Sequence, residues 1–274
     1  MTYGDPKECW LVDLDGVVWL GDEPISGSSA AIRALQVAGL RVAFFTNNSF
    51  STRTEMLDKF KRHGIDLEPD NLLSSSQAAA ALLAVGSRAT VLGGAGIVEA
   101  LDARGIEVVD LDALGVADQI DAVVVGLDRG LTFDRLTRAC QAIGRGAMFL
   151  ATNDDATYPT TDGVLPGGGA IVAAIQYATR IRPVVAGKPY APSVELVTSV
   201  LGRVSVVIGD RPETDGELAR GLGARFGMVR SGVTKGTTVV VPTPDKDGPD
   251  LLSVVAESLG STPQQVLSSS GLHS

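Results

Sequence analysis

The chain has 274 residues, of which 45% are apolar and 20% charged, so it can bury a sizeable core and has the composition of a globular protein. A net charge of −9 and a pI near 4.7, with no block rich in Lys or Arg, argue against nucleic-acid and anionic-membrane partners. No signal peptide or membrane-spanning run is visible, and two cysteines are too few for a disulfide framework, so a cytoplasmic protein is expected.

Short Val-, Ile- and Leu-rich segments alternate with longer helical patterns, which is typical of a parallel sheet covered by helices. The predicted strands are 9–15, 40–47, 89–94, 121–128, 147–153, 183–187, 204–210 and 236–242. The predicted helices are 28–38, 52–63, 76–85, 96–103, 132–143, 169–179, 193–201 and 217–222. Residues 74–182 have a strand–helix rhythm of their own between two polar borders, which predicts an inserted second domain.

The first strand ends in two carboxylates, Asp13 and Asp15, followed by Gly16. Side chains two residues apart on a strand point to the same side, and the glycine allows an immediate turn. Such a pair can hold a divalent cation, or one acid can be a nucleophile while the other transfers a proton. A turn or helix-capping role is the alternative for either residue alone.

The second strand ends in Thr46 and Asn47, where a hydroxyl and backbone N–H groups ahead of a helix can bind an anion. The alternative is that this segment only caps the helix predicted at 52–63.

A lone lysine, Lys188, stands between Gly187 and Pro189 after an apolar run. The glycine permits close approach and the proline ends the strand, which favours a fixed inward ammonium over a solvated surface lysine.

A second pair of acids, Asp210 and Asp215, follows the strand at 204–210. Hard oxygen ligands that water and a substrate phosphate can complete suit Mg²⁺. Capping of the next helix is the alternative for Asp215.

Taken in chain order, these four elements resemble the motifs of the haloacid dehalogenase (HAD) superfamily of phosphohydrolases. The finer resemblance is to the subgroup of NagD, the p-nitrophenyl phosphatases, pyridoxal phosphatase and phosphoglycolate phosphatase. It extends over nearly the whole chain and thins after about residue 240. The stretches that carry it are DLDGVVWLGDEPI (13–25), FFTNNS (44–49), VVVGLDRGLTF (123–133), ATNDDATYPTTDGVLPGGGAIVAAI (151–175), VAGKPY (185–190) and GDRPETD (209–215).

The resemblance implies an α/β protein with a doubly wound, parallel, Rossmann-like core formed by residues 1–76 and 182–274. An α/β cap domain of the C2 type is expected at 77–181. The cap is expected to close over a small phosphorylated metabolite and to carry the substrate preference. Its candidate contacts are Asn153, Asp154 and Asp155, and a homodimer formed through the cap fits the same resemblance.

The resemblance also assigns catalytic roles. Asp13 matches the nucleophile and Asp15 the general acid and base. Thr46 and Asn47 match the phosphate-binding turn, and Lys188 matches the cation that braces the nucleophile and the phosphoryl oxygens.

For the metal, the resemblance implies Mg²⁺ held by the Asp13 carboxylate, the Asp15 backbone carbonyl and Asp210, with Asp215 as a supporting acid. The predicted function is therefore hydrolysis of a phosphomonoester through an aspartyl-phosphate.

Three other functions use the same kind of residues. A phosphomutase or other phosphotransferase of this fold would return the phosphoryl group to a substrate, and free phosphate release separates it from a phosphatase. A phosphate-ligand sensor would keep the fold without turnover. A receiver-like signalling domain would share the acidic pair, Thr and Lys, but such domains are near half this length and have no inserted cap.

Overall fold

The computed structural model describes residues 8–115, 117–160, 163–236 and 239–269. The strands are β1 (Cys9–Val12), β2 (Trp19–Leu20), β3 (Glu23–Pro24), β4 (Arg41–Thr46), β5 (Leu72–Ser74), β6 (Arg88–Leu92), β7 (Glu107–Val109), β8 (Ala122–Val125), β9 (Met148–Ala151), β10 (Thr157–Thr160), β11 (Gly163–Pro166), β12 (Val184–Val185), β13 (Val204–Gly209), β14 (Arg225–Val229) and β15 (Lys246–Gly248). The helices are α1 (Ser28–Val37), α2 (Arg53–Arg62), α3 (Ser75–Ala81), α4 (Ala95–Ala103), α5 (Phe133–Gly144), α6 (Gly168–Thr179), α7 (Ala191–Leu201), α8 (Glu217–Leu222), α9 (Leu251–Ser258) and α10 (Pro263–Ser269).

Two parallel sheets organise the described residues. The first has the order β15-β14-β13-β1-β4-β5, and the second has the order β12-β9-β8-β6-β7. Every pairing within these two sheets is parallel, whereas β2–β3 and β10–β11 form small antiparallel hairpins. The parallel α/β architecture predicted from the sequence is confirmed.

Both faces of the first sheet are covered, which explains its continuous apolar strands. Along β1, Trp10 and Val12 point into a cluster with α1, α2 and α9, whereas Cys9 and Leu11 point into a second cluster with α7 and α8. Successive side chains of a strand face opposite ways, so a strand buried on both sides needs an apolar residue at every position. The second sheet divides its strand residues between two clusters in the same way.

The second sheet is built from a continuous part of the sequence. Its strands lie between Arg88 and Val185, and both neighbours of that segment, β5 and β13, belong to the first sheet. Strand β12 extends the second sheet a few residues beyond the predicted cap boundary at 181. The division into core and cap stays a prediction.

The strand predicted at 236–242 is wrong for residues 239–242, which form no strand; residues 237 and 238 lie outside the described residues. Val239 and Val241 are 90% and 80% exposed, so these two side chains are not part of the core. The sheet instead continues through β14, which pairs with β13, and through β15. None of the helices in the described ranges is long and apolar enough to cross a membrane.

Candidate active site

The polar strand ends lie side by side at one edge of the first sheet. Strands β13, β1 and β4 are consecutive in that sheet and parallel. Asp210 follows β13, Asp13 follows β1 and Thr46 ends β4. Ligands bind outside the carboxyl ends of strands in such sheets, so the topology collects these residues where a site is expected.

Lys188 holds two acids of this edge together. Its Nζ lies 2.6 Å from Asp13 Oδ1, 2.6 Å from Asp215 Oδ1 and 3.3 Å from the carbonyl oxygen of Phe45. The lysine is only 3% exposed. Burial lowers its pKa, but the two carboxylates outweigh burial and raise the pKa above the ordinary lysine value. The ammonium therefore stays charged and fixes the position of the Asp13 carboxylate.

The backbone around Lys188 is fixed by Asn47. Asn47 Oδ1 accepts the Lys188 N–H at 2.9 Å, and Asn47 Nδ2 donates to the Lys188 carbonyl oxygen at 3.2 Å. A Cβ on Gly187 would lie 2.5 Å from Asn47 Oδ1 and 2.5 Å from the Thr152 carbonyl oxygen. The glycine is thus required for the close approach that places the ammonium beside Asp13.

Three carboxylates converge beside this ammonium. Asp13, Asp210 and Asp215 each offer an oxygen within 4.8 Å of the others, and Asp210 and Asp215 are buried. Burial, followed by the nearby Asp215, raises the pKa of Asp210 to about 7. Burial also raises the pKa of Asp13 well above its usual value, against the opposing effect of Lys188. One lysine cannot neutralise three clustered acids, so further positive charge is needed here.

The donor set fits a hard divalent cation. Asp210 Oδ2 accepts the Val233 N–H, whereas the buried Oδ1 has no hydrogen-bond partner among the described residues. A Cβ on Gly232 would lie 1.9 Å from Asp210 Oδ2, so the loop can pass this carboxylate only as glycine. An unpartnered buried carboxylate oxygen beside two more acids is a suitable ligand for Mg²⁺ or Ca²⁺.

We expect the chelator-treated protein to lose stability as the pH rises from about 4 to about 7. A folded-state pKa of about 7 for Asp210 exceeds the unfolded value, so the folded state binds more protons in this window and stability falls with pH. Urea unfolding in EDTA should give a free energy of unfolding about 2 kcal/mol lower at pH 8 than at pH 5.5. Asp210→Asn should shrink this difference, and an undiminished difference in that variant would contradict the assignment.

Asp15 lies in the turn that follows β1. Its Oδ1 accepts the indole N–H of Trp19 at 3.1 Å. Burial raises the pKa of Asp15, and Lys59 is the largest of the charges that oppose it. A raised pKa favours the protonated form of this acid, which is the form that a proton donor needs.

Thr46 and Asn47 are brought to the same edge as predicted, but their side chains are already engaged. Thr46 is 1% exposed, and its Oγ1 accepts the N–H of Asn48 at 2.9 Å. Asn47 Nδ2 donates to Asp155 Oδ2 at 3.2 Å as well as to the Lys188 carbonyl. The Asn47 side chain thus links the first sheet to the loop after β9, and only its backbone is left to contact an anion.

A cavity of about 340 Å³ opens above these residues. From the first sheet it is lined by Asp13, Asp15, Thr46, Lys188 and Arg211, among others. From the loops of the second sheet it is lined by Leu127, Arg129, Asn153, Asp155, Thr157, Tyr158, Gly167 and Gly168. The two sheets therefore enclose one space that contains every predicted catalytic side chain except those of the buried Asp210 and Asp215.

The three predicted cap contacts differ in their placement. Asn153 is buried and donates to the Asn47 carbonyl oxygen at 2.8 Å, so it joins the two sheets. Asp155 lines the cavity, and burial raises its pKa. Asp154 is exposed, accepts a hydrogen bond from the Tyr190 hydroxyl and is absent from the cavity lining described above.

Several cavity residues were missed by sequence reasoning. Lys59 reaches the cavity from α2 and lies 3.7 Å from Asp22, and Arg211 donates to the Thr157 carbonyl oxygen at 3.1 Å. Arg129 contacts the Phe50 ring, with 4.9 Å from the guanidinium carbon to the ring centroid. For Arg211, its position directly after Asp210 was a sequence signal that it lies near the site. Lys59 and Arg129 are single cations in a helix and a loop, and such residues cannot be told from surface residues by sequence.

Arg129 is held on a rigid turn. Asp128 Oδ1 accepts the Gly130 N–H at 2.7 Å, and its Oδ2 accepts two N–H groups of Arg135. Four cationic side chains of the described residues line the cavity. Three of them form hydrogen bonds or ion pairs, whereas the Arg129 guanidinium forms neither with any described residue. Its donors are therefore available to a bound molecule.

Comparison with known proteins places these features in one group. Residues 10–107 match the family model for haloacid dehalogenase-like hydrolases, and residues 185–259 match a second model for HAD-like hydrolases. The D-glycerol 3-phosphate phosphatase of Mycobacterium tuberculosis is 35% identical over 261 residues, which cover 92% of this chain and 72% of that protein. The 5'-nucleotidase YutF of Bacillus subtilis is 32% identical over 232 residues, 82% of this chain and 88% of that protein.

A solved structure agrees in three dimensions. The crystal structure of glycerol phosphate phosphatase from Mycobacterium tuberculosis in complex with magnesium superposes with a TM-score of 0.78 and 32% sequence identity. The match covers 90% of this chain and 76% of that chain.

Proposed function

This chain belongs to the haloacid dehalogenase-like hydrolases, and we propose that it is a Mg²⁺-dependent phosphomonoesterase that works through an aspartyl-phosphate on Asp13. The observation that carries the proposal is the buried Lys188 ammonium, 2.6 Å from both Asp13 and Asp215 and beside Asp210. The named relatives hydrolyse phosphate esters of small molecules, which supports the same reaction class here.

In this reaction Asp13 attacks the phosphorus atom in line with the leaving oxygen. The new bond joins Asp13 to phosphorus as the ester bond breaks, and Asp15 donates its proton to the leaving alkoxide. Asp15, now ionised, then removes a proton from water, which hydrolyses the aspartyl-phosphate and releases inorganic phosphate. Lys188 keeps Asp13 oriented and offsets phosphoryl charge throughout.

For the metal we propose Asp13, Asp210 and the backbone carbonyl of Asp15 as protein ligands, with Asp215 supporting them through Lys188 and the Arg211 N–H. When bound, Mg²⁺ supplies positive charge that offsets the phosphate and the buried acids. The magnesium complex of the Mycobacterium tuberculosis relative supports this choice of ion.

We also propose the predicted division into a core of residues 1–76 and 182–274 and a cap of residues 77–181. The second sheet and its own two apolar clusters support it, because each sheet has helices on both faces. Hydrogen bonds join the proposed cap to the proposed core. The Gly96 N–H of the cap donates to the Phe50 carbonyl oxygen of the core at 3.1 Å, and Thr152 Oγ1 of the cap lies 2.8 Å from Ser49 Oγ of the core.

The substrate we infer is a small phosphomonoester, because the cap and core loops enclose a cavity of only about 340 Å³. Polar side chains such as Arg129, Asn153 and Asp155 are part of the lining, which suits a hydroxylated leaving group. A phosphomutase or other phosphotransferase is the alternative, since it would use the same aspartyl-phosphate.

The test is a phosphate-release assay over a panel of phosphorylated metabolites. With Mg²⁺ we expect stoichiometric inorganic phosphate from at least one sugar, glycerol or nucleotide monophosphate. EDTA should abolish release and added Mg²⁺ should restore it, with Ca²⁺ a poor substitute because its looser coordination misplaces the phosphate. Full activity after thorough metal removal would refute the metal dependence, and an isomerised phosphate ester without free phosphate would favour the mutase.

Arg129→Met is expected to raise KM for alkyl phosphates by about tenfold, because a charged hydrogen bond to the leaving group is lost. The KM for p-nitrophenyl phosphate should change much less, because this aromatic leaving group has no hydroxyl group for Arg129 to bind. Steady-state kinetics on both ester types gives the answer. Arg145→Met, which removes an exposed arginine after α5, is the matched control. Equal losses on all esters would show that Arg129 is structural.

A further inference from the structure

The turn after β1 brings a tryptophan against the second acid of the site. The Gly16 N–H donates to the Trp19 carbonyl oxygen at 2.7 Å, and the Val18 N–H donates to the Leu14 carbonyl oxygen at 2.8 Å. Asp15 and Trp19 also form an isolated β-bridge. The backbone thus holds the two residues side by side.

The Trp19 ring cannot turn away from Asp15. It is 2% exposed, and the Phe60 ring packs edge-on against it with 5.0 Å between ring centroids. The Lys59 ammonium lies over its face at 4.3 Å from the centroid. A cation over the ring draws electron density from the indole, which makes its N–H a stronger donor. Packing and charge together direct this N–H at Asp15 Oδ1, 3.1 Å away.

One hydrogen bond decides which oxygen of Asp15 carries the proton. Oδ1 accepts the indole N–H, so it is the poorer site for a proton when the acid is neutral. The proton is then placed on Oδ2, and Asp15 is one of the residues that line the cavity. Without the indole donor, the carboxyl group could rotate and present its proton in the wrong direction.

We propose that Trp19 is a positioning residue that orients Asp15 and places its proton on Oδ2, facing the leaving group. The inference rests on the proposed function, because it assumes that Asp15 protonates the leaving oxygen. Trp19 lies outside the four motifs, in the turn after β1, and Lys59 and Phe60 of α2 hold its ring in place.

The chain contains a matched control for this idea. The other tryptophan of the chain, Trp10, is buried in the same apolar cluster as Trp19, but its indole Nε1 has no hydrogen-bond partner among the described residues. Trp10→Phe and Trp19→Phe therefore remove the same atoms from the same cluster, and only the second removes a hydrogen bond to Asp15.

The experiment compares phenyl phosphate with p-nitrophenyl phosphate, two esters of similar shape. The nitro group stabilises the departing phenolate, so only phenyl phosphate depends strongly on proton donation. We expect Trp19→Phe to lower kcat/KM for phenyl phosphate about tenfold and for p-nitrophenyl phosphate less than about threefold. Trp10→Phe should leave the ratio of the two values unchanged, and Asp15→Asn should change it in the same direction and further.

Each outcome separates the inference from the function on which it rests. If Asp15→Asn changes the ratio and Trp19→Phe does not, the positioning role is refuted and the phosphatase proposal stands. If neither variant changes the ratio, the role of Asp15 as proton donor is refuted together with the inference. A parallel change in both tryptophan variants would show a packing effect and would also overturn it.

If Trp19→Phe does not fold, NMR of the indole N–H groups tests the same hydrogen bond in protein that keeps Trp19. With two tryptophans, the indole N–H resonances can be assigned from Trp10→Phe alone. In Asp15→Ala the Trp19 resonance should move upfield as its acceptor is lost, while the Trp10 resonance stays in place. An unmoved Trp19 resonance would show that the hydrogen bond is absent in solution and would refute the inference.

Discussion

Asp13→Asn is expected to reduce turnover by at least about 10⁴-fold while the protein remains folded. An amide oxygen can still accept the hydrogen bond from Lys188, but an amide cannot serve as the nucleophile, so no aspartyl-phosphate forms. Steady-state phosphate release should therefore fall to background. Mass spectrometry of protein quenched during turnover should find a phosphoryl group on the wild type and none on the variant.

The same variant should be at least as stable as the wild type. Burial and the neighbouring acids raise the pKa of Asp13, which means that its ionised form opposes folding in the metal-free protein. Thermal unfolding in EDTA checks this. Asp102→Asn on α4, which neutralises an exposed acid outside the cavity, is the control for activity and stability. Residual turnover above a few per cent of wild type would refute the covalent mechanism.

Lys188→Met is expected to lower kcat/KM by on the order of 10³-fold and also to destabilise the protein. Methionine keeps most of the side-chain volume, but all three hydrogen bonds of the ammonium are lost. Preorganised charge of this kind contributes about 10²- to 10³-fold to catalysis for each donor removed. Breaking one side of a buried ion pair costs about 3–5 kcal/mol, because Asp13 and Asp215 are left without their cation.

The pH dependence distinguishes this mechanism from a simple packing defect. Without Lys188 the carboxylates hold protons more tightly, so the stability deficit of the variant should shrink as the pH falls toward 5. Urea unfolding at pH 5 and pH 8 measures it. Lys246→Met removes a half-buried surface lysine that pairs with Glu257 and should change stability by less than about 1 kcal/mol. A deficit that is equal at both pH values would show that charge is not the cause.

The sequence by itself determined the class of fold and the candidate residues of the site. Asp13, Lys188 and Asp210 were placed at strand ends from their apolar runs and from the glycines beside them, and all three meet at one edge of the first sheet. Local patterns suffice here, because a parallel sheet with helices on both faces imposes continuous apolar strands and collects their carboxyl ends.

The sequence alone misjudged elements whose fate depends on distant partners. The apolar run at 239–242 looks like a strand, but its valines are exposed. Strand β14, which contains the strand-weakening Gly227, lies beside β13 and is mostly buried. Whether an apolar segment becomes a strand depends on which neighbour offers it free hydrogen-bonding groups and a face to pack on, and this is not encoded locally.

Only the tertiary structure decided which side chains share a site. Asn47 turned out to link the first sheet to the loop after β9, Arg129 to enter the cavity with no hydrogen bond or ion pair to the described residues, and Trp19 to donate to Asp15. These contacts join groups on different loops, or across a turn whose geometry the residues alone do not specify. A hydrogen bond or a free cation is a property of distance and direction, so it becomes visible only when the chain has brought both partners together.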